Sequence, residues 1–326
     1  MTEPHITGTR SIGIIGLGIM GRRLLGVIRQ HPDFRPGLLW DPAEAARAEA
    51  RALAPEAGIA EAADAVIAEA DVVYLACPPE PRKDYALQAA AAGKPLLLEK
   101  PLGIDVATSR DLTERLAASG GPAAVNFTQA ASPALAEVSR ALAAGELGEP
   151  LGIDILVTYA AWPRAWQAGA DWLRFRAEGG FTREVISHFL FLSARLLGPL
   201  EPVWARPSFP APDLAETHLL ARLETPDGLP VSVFGSVGGR QPDRQEVTVK
   251  GSRRSYRIAD FYHLQVSDGG AFMEARSPEG DAREEALNAQ LSQLALCAAG
   301  QPHALATVAE AFAVQTWIEA LLDGRS

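Results

Sequence analysis

Three short stretches combine residue types that can do chemistry. The first is Glu99-Lys100-Pro101, which follows Lys94-Pro95-Leu96-Leu97-Leu98. The leucines read as a buried parallel strand, and proline stops it because it has no N–H to donate to the ladder. An ammonium and a carboxylate are costly to bury without partners or work. Open α/β sheets bind ligands at the carboxyl ends of their strands, so Lys100 stands where a cofactor and a substrate can meet. Taken alone, the tripeptide favours an ordinary solvated strand end. The second stretch is Gly16-Leu17-Gly18-Ile19-Met20-Gly21, a G-x-G-x-x-G pattern. The third is Glu184 and His188, four residues apart on a strongly apolar helix pattern and so on one helical face. A buried Glu and His need partners, so the pair is structural or catalytic.

The elements around these residues decide between such readings. Ser11-Ile12-Gly13-Ile14-Ile15 reads as a buried strand and residues 22–30 as a helix, the context that makes a glycine pattern meaningful. Gly16 then permits the turn, Gly18 lets a pyrophosphate approach the backbone, and Gly21 lets helix and strand pack closely. Ile19 and Met20 supply helix N-terminal N–H groups to the same phosphates. Leu38-Leu39-Trp40 is the next strand. Asp41, twenty residues after Gly21, is placed for the adenosine ribose of NAD; NADP is the alternative, for which neither Pro42 nor Ala43 supplies a base and Arg47 lies a turn into the next helix. Asp41 also reads as a cap, with Pro42 at the first helical position. Residues 71–76 form a strand that ends in the turn Cys77-Pro78-Pro79, followed by a helix over 85–92. Asp105 starts a helix to 119, and residues 123–126 close a parallel, doubly wound sheet.

In order and spacing, the glycine loop, Cys77-Pro78-Pro79, Gly93-Lys94-Pro95 and Glu99-Lys100-Pro101 resemble the glucose–fructose oxidoreductase, inositol dehydrogenase and rhizopine catabolism (Gfo/Idh/MocA) family. The resemblance implies an N-terminal Rossmann domain, here 1–127, and a C-terminal α+β domain, here 128–326, with an open, mostly antiparallel sheet. It implies that Lys100 lies beside the nicotinamide and holds the reacting oxygen, and that Glu99 and the 77–79 turn lie near the cofactor. The family's second signature is an Asp, three residues and a His after a glycine pair. Gly179-Gly180, Glu184 and His188 match its positions, which implies that His188 is the acid/base and the carboxylate orients it. The chain departs from the family's habits at several places. Glu184 replaces Asp, Ile186 a frequent Gly, Phe191 a second Asp, and Pro79 and Arg82 an Asn and a His. Phe127-Thr128-Gln129-Ala130 lacks the usual basic pair.

Residues 162–176 hold three of the six tryptophans and three arginines. Trp162, Arg164, Trp166 and Trp172, with Arg183, read either as an aromatic clasp on the sheet or as a pocket wall for a ring and a polar or anionic group. The strands over 153–159, 217–223, 231–237, 246–250 and 255–258 follow, then two apolar-striped helices. In the resembled family the open sheet face packs on another subunit, which implies a homodimer or homotetramer.

A chain of 326 residues, 48% hydrophobic, is long enough for two cores. Its net charge of −10 with scattered basic residues argues against nucleic acid and anionic membranes. The first ten residues lack a leader's apolar core, no apolar run is long enough to span a bilayer, and Cys77 and Cys297 suggest no disulfide framework, so a cytoplasmic protein is expected. No residue spacing points to a metal. The function expected is NAD(P)-dependent oxidation or reduction at a CH–OH carbon of a sugar, cyclitol or related molecule. The alternatives are a non-catalytic NAD-binding sensor, an imine reductase and an NAD-dependent glycosidase.

Overall fold

The computed structural model describes residues 9–276 and 280–324, so the reading of the first ten residues as leaderless falls largely outside them. The chain divides into two compact units. The first comprises Met1–Ala131 with Arg283–Phe312, and the second Ser132–Ala282 with Ala313–Ser326. The sequence boundary near residue 127 is close to the first crossing. The return of a late helix to the first unit leaves no local signal, because its apolar stripe fits either core.

In the first unit, β1 (Arg10–Ile15), β2 (Phe34–Trp40), β3 (Val72–Leu75), β4 (Leu96–Leu98) and β5 (Ala123–Val125) are parallel, and β14 (Ala306–Thr307) adds an antiparallel edge to β5. Their order is β14-β5-β4-β3-β1-β2, so the winding direction reverses at β1. The helices are α1 (Ile19–Ile28), α2 (Glu44–Leu53), α3 (Ala63–Glu69), α4 (Pro79–Ala91), α5 (Val106–Ser119) and α8 (Ala282–Ala298). Ile12, Ile14, Val72, Tyr74 and Leu97 pack with Leu24, Leu25 and Ile28 of α1 and with Leu287, Leu291 and Leu294 of α8.

Two helix starts differ from the sequence reading. α4 begins at Pro79, six residues earlier than expected, because Pro79 occupies the first helical position, where its missing N–H costs nothing. α2 begins at Glu44 rather than Pro42, with Ala43 as its cap residue, because the Asp41 carboxylate is already engaged by other donors. Asp105 does cap α5, accepting from Thr108 N at 2.6 Å.

The second unit holds α6 (Pro133–Ala143), α7 (Ser187–Leu197) and the later part of α9 (Val308–Leu322) with an eight-stranded sheet. The strands are β6 (Pro150–Tyr159), β7 (Glu201–Ser208), β8 (His218–Glu224), β9 (Pro230–Val237), β10 (Arg244–Gly251), β11 (Ser255–Ala259), β12 (His263–Ser267) and β13 (Met273–Arg276). Their order is β13-β12-β11-β10-β6-β9-β8-β7, and only β6 and β9 run parallel. Ile153, Ile155, Val157 and Tyr159 alternate inward with Leu219, Ala221, Val231 and Val233. The chain was expected to be helical from 182 to 197. Its first turn, Thr182–Ile186, is instead a π-turn that continues into α7. That extra residue per turn alters the simple i, i+4 relation read for Glu184 and His188. Among the described residues, no helix is long and apolar enough to cross a membrane.

Candidate functional site

Strand register fixes the candidate site of the first unit. Trp40, Ile15, Leu75, Leu98 and Val125 lie in one row across β2-β1-β3-β4-β5. The next residues, Asp41, Gly16, Ala76-Cys77, Glu99 and Asn126, therefore emerge together at the carboxyl end, beside the reversal at β1. This is the place where such sheets take ligands.

Each glycine of the loop has a separate reason to be there. Gly16 has φ of +99°, and a Cβ on it would lie 2.3 Å from Cys77 N. A Cβ on Gly21 would lie 2.0 Å from Gly16 O, so these two are demanded by the fold. Gly18 has an ordinary φ of −68°, and a Cβ there would meet nothing within 4 Å. The protein itself does not need a glycine at 18. A pyrophosphate laid on the uncapped start of α1 would need it, so this cradle fits a dinucleotide.

Asp41 accepts hydrogen bonds from Leu17 N (2.8 Å) and Ala43 N (2.9 Å), tying the glycine loop to the end of β2. Arg47 departs from the expectation that it lies too far along its helix. It folds back to donate to the carbonyls of Asp41 and Pro42, while Glu44 balances its charge.

Glu99 does not present its carboxylate as a free cofactor contact. It is buried, accepting from Tyr74 Oη and Asn126 Nδ2. Burial raises its pKa against the pull of those bonds and of Arg82. Burial, reinforced by the Glu99 charge, also carries the Tyr74 hydroxyl well up. The sequence reading missed Arg82, which it noted only as a departure. From α4 its buried guanidinium donates to Glu99 O (2.6 Å), Pro101 O and Cys77 O. One nitrogen, Nη1, holds the carbonyls on both sides of Lys100. The Lys100–Pro101 peptide is cis, and Lys100 is half-buried. Cys77 and Pro79 are buried and Pro78 is exposed, and burial raises the Cys77 thiol pKa.

Within the second unit, Glu184 lies on the π-turn and His188 on α7. His188 is buried, with its ring edge against Phe261 at 5.6 Å between centroids. Glu184 is half-buried, and its charge reaches Tyr159. Two features hold this turn. Glu216, between the 162–180 segment and β8, accepts from Thr182 N at 2.7 Å, and burial raises its pKa. Gly180, with φ of +103°, makes room for that carboxylate, since a Cβ would lie 2.3 Å from Glu216 Oε2. Arg183 pairs in bidentate fashion with Glu319 of α9 at 2.7 Å and also donates to the carbonyls of Arg176 and Gly179. Burial opposes its charge, but Glu319 outweighs that and raises its pKa. Arg183 was expected to hold substrate; the structure places it as a brace instead. A buried carboxylate beside Thr217 and an Arg one turn before a His leave no distinctive pattern in sequence.

The tryptophan segment divides by role. Trp162 is a clasp, with Nε1 donating to Leu173 O at 3.0 Å and its ring on Tyr159 and Phe181. Arg164 lies over the rings of Tyr159, Trp162 and Trp166 at 5.0, 5.8 and 4.7 Å. Trp166 and Trp172 are 44% and 39% exposed. The Tyr159 hydroxyl is buried with no hydrogen-bond partner among the described residues, and burial raises its pKa.

Comparison with known proteins adds names to this geometry. Residues 10–127 match the model of an oxidoreductase family with an NAD-binding Rossmann fold, and residues 135–257 match the GFO/IDH/MocA C-terminal domain. The chain is 28% identical over 229 residues to inositol 2-dehydrogenase 2 of Saccharopolyspora erythraea, covering 69% of this chain and 66% of that one. It is 27% identical over 238 residues to inositol 2-dehydrogenase of Mycolicibacterium smegmatis, covering 68% and 64%. The matched stretch thus spans slightly less than two-thirds of either relative. Among solved structures, scyllo-inositol dehydrogenase from Lactobacillus casei with NAD(H) and scyllo-inositol superposes with a TM-score of 0.78, at 17% identity over 97% of this chain and 96% of that one. An oxidoreductase from Agrobacterium radiobacter in complex with NAD+, L-tartaric acid and magnesium gives 0.84, at 15% identity over 97% and 96%.

Proposed function

The chain belongs to the Gfo/Idh/MocA family of NAD-binding oxidoreductases, and on that premise we propose that it is an NAD-dependent dehydrogenase acting on a CH–OH carbon of a cyclitol, sugar or related small molecule. The observation that carries this is the strand row. It brings the glycine cradle, the 77–79 turn and the Lys100 peptide to one end of one sheet. The curated relatives are inositol dehydrogenases, which makes a cyclitol the first substrate class to test.

Gly16, Gly18 and Gly21, with the N–H groups of Ile19 and Met20, hold the pyrophosphate, and Asp41 faces the adenosine ribose. Cys77, Pro78, Pro79 and the Glu99-Lys100 backbone line the nicotinamide end. The chemistry the nicotinamide supplies when bound is acceptance of a hydride from the carbinol carbon. Lys100 donates a hydrogen bond to the substrate oxygen and stabilises negative charge developing on it. His188 takes the hydroxyl proton, the general-base role that imidazole most often fills. Glu184 orients the imidazole. Arg164, Trp166 and Trp172 touch substrate, and Trp162 holds their segment in place.

Lys100→Met tests the assignment with myo-inositol and NAD, followed at the NADH absorbance band. NAD affinity should stay within a few-fold while kcat falls by about 10²–10⁴. Wild-type turnover by the variant would overturn the role given to Lys100.

The open face of the second sheet supports a homo-oligomer. Leu220 (46% exposed) and Phe234 (41%) are register partners there, and Leu156 adjoins Phe234. A contiguous apolar patch of this kind marks a protein interface, and a dimer or tetramer through it is part of the proposal. A cytoplasmic location accords with Cys77 and Cys297 both being free and buried.

A further inference from the structure

The hairpin between β11 and β12 turns through Ala259, Asp260, Phe261 and Tyr262, closed by Tyr262 N on Ala259 O at 3.1 Å. Both central residues have positive φ, +48° for Asp260 and +67° for Phe261. They are the only non-glycine residues of that kind among those described. Positive φ at both centres is the requirement of a type I′ turn, whose usual occupants are Asn-Gly or Asp-Gly. Asp tolerates the left-handed region, but a bulky aromatic there is a true outlier. Such outliers persist where the surroundings over-determine them, and they concentrate at functional sites.

What Phe261 does with its position is visible. Its ring meets the His188 imidazole edge-on, at 81° and 5.6 Å, and lies on Phe189 at 4.9 Å. The turn is tied to the sheet interior by Asp260 N donating to Gln245 O at 2.9 Å. A glycine at 261 would suit the backbone better and would leave this side of the imidazole without a wall. We infer that Phe261 is a positioning residue for His188, kept in a strained turn because its ring fixes the orientation of the imidazole. This rests on the acid/base role proposed for His188.

Phe261→Gly is the discriminating variant, since Asp-Gly is a pair the turn favours and the hairpin should still close. With NAD and myo-inositol, kcat should fall about 10–100-fold, the effect of an ångström-scale misplacement, while KM stays within about twofold. Phe261→Tyr should restore most of it. A second measurement needs no turnover. In ¹⁵N-histidine spectra, the His188 ring signals, assigned by their loss in His188→Gln, should shift and broaden in Phe261→Gly and recover in Phe261→Tyr. Unchanged His188 signals in Phe261→Gly would overturn the inference, as would wild-type kcat. If His188→Gln itself turns over like wild type, the acid/base reading fails. The spectra would still decide whether Phe261 holds the ring.

Discussion

Removing the Arg82 guanidinium should cost the first unit more than almost any other single change. In Arg82→Met the carbonyls of Cys77, Glu99 and Pro101 lose their donor together. Hydrogen bonds from a charged donor are worth about 1.5–3 kcal/mol each, so the gross loss is roughly 5–9 kcal/mol. Part of that is offset. Burial lowers the pKa of Arg82, which shows that the folded protein keeps this cation at a cost, and the Met variant is relieved of it. Glu99, left without its neighbouring guanidinium, can take up a proton, since burial already raises its pKa. The net expectation is a loss of about 3–5 kcal/mol, the range for breaking a buried charged contact on one side. Hydrogen exchange reads it where it matters, at Glu99 N bonded to Leu75 O and Asn126 N bonded to Leu98 O. Their protection should drop by about two to four orders of magnitude, at 1.4 kcal/mol per tenfold, with Arg82→Lys between wild type and Met because an ammonium cannot span three carbonyls. A loss below about 1 kcal/mol, or a Lys variant equal to wild type, would refute the idea that one guanidinium fixes the Lys100 peptide.

Gly18→Ala should lower stability by only about 0.5–1 kcal/mol, from the poorer helix cap, yet weaken NAD binding at least tenfold by titration calorimetry; Gly21→Ala should instead cost about 3 kcal/mol in a denaturant melt because its Cβ meets the Gly16 carbonyl. Glu216 has a folded pKa raised above its ordinary 4.5, so the stability it contributes is complete below that value and is lost as pH rises through the folded pKa. The melting temperature of Glu216→Gln relative to wild type should therefore climb as pH rises above that ordinary value, and a difference that shrinks would contradict the buried-acid reading. Phe234→Lys should shift sedimentation from an assembly to the single chain if the open sheet face is the interface; an unchanged profile would remove that face from consideration.

Much of the first unit could be read from sequence because its signals are local. A buried strand, a glycine loop and an amphipathic helix follow one another in a few residues, and Asp105 and Gly93 mark helix ends by their own chemistry. The second unit was less legible. β7 carries Pro202 and Pro207, which argue against a strand unless it lies at an edge, and it does. The strands β12 and β13 are short and polar at the opposite edge. The family resemblance implies only that Glu99 lies near the cofactor; sequence shows that a charge is present but not which way it points, and Tyr74 and Asn126 turn it inward. Arg183 was misjudged for the same reason, since its partner Glu319 lies 136 residues away.

The two residues assigned to proton handling and oxyanion stabilisation stand on backbone that ordinary secondary structure does not hold. Lys100 lies two residues beyond the end of a three-residue strand, where ladder bonds have ended, and Arg82 supplies the missing donors. His188 follows a π-turn, a geometry a regular helix would relax, and Glu216 and Arg183 hold its first turn at Thr182 N and at the carbonyls before it. In each case the fixing group is a buried ionisable side chain, and so is expensive to keep in its charged form. An ionisable group is nevertheless the effective choice. It can bind several carbonyls or N–H groups that face one another at odd angles, which no ladder can do, and its bonds are the strong ones. Apolar packing could bury the same volume without specifying the direction of a single peptide. Replacing Arg82 and Glu216 with apolar residues of like size should therefore loosen these two backbones even in variants that remain folded, and the catalytic defect should exceed what the loss of stability predicts.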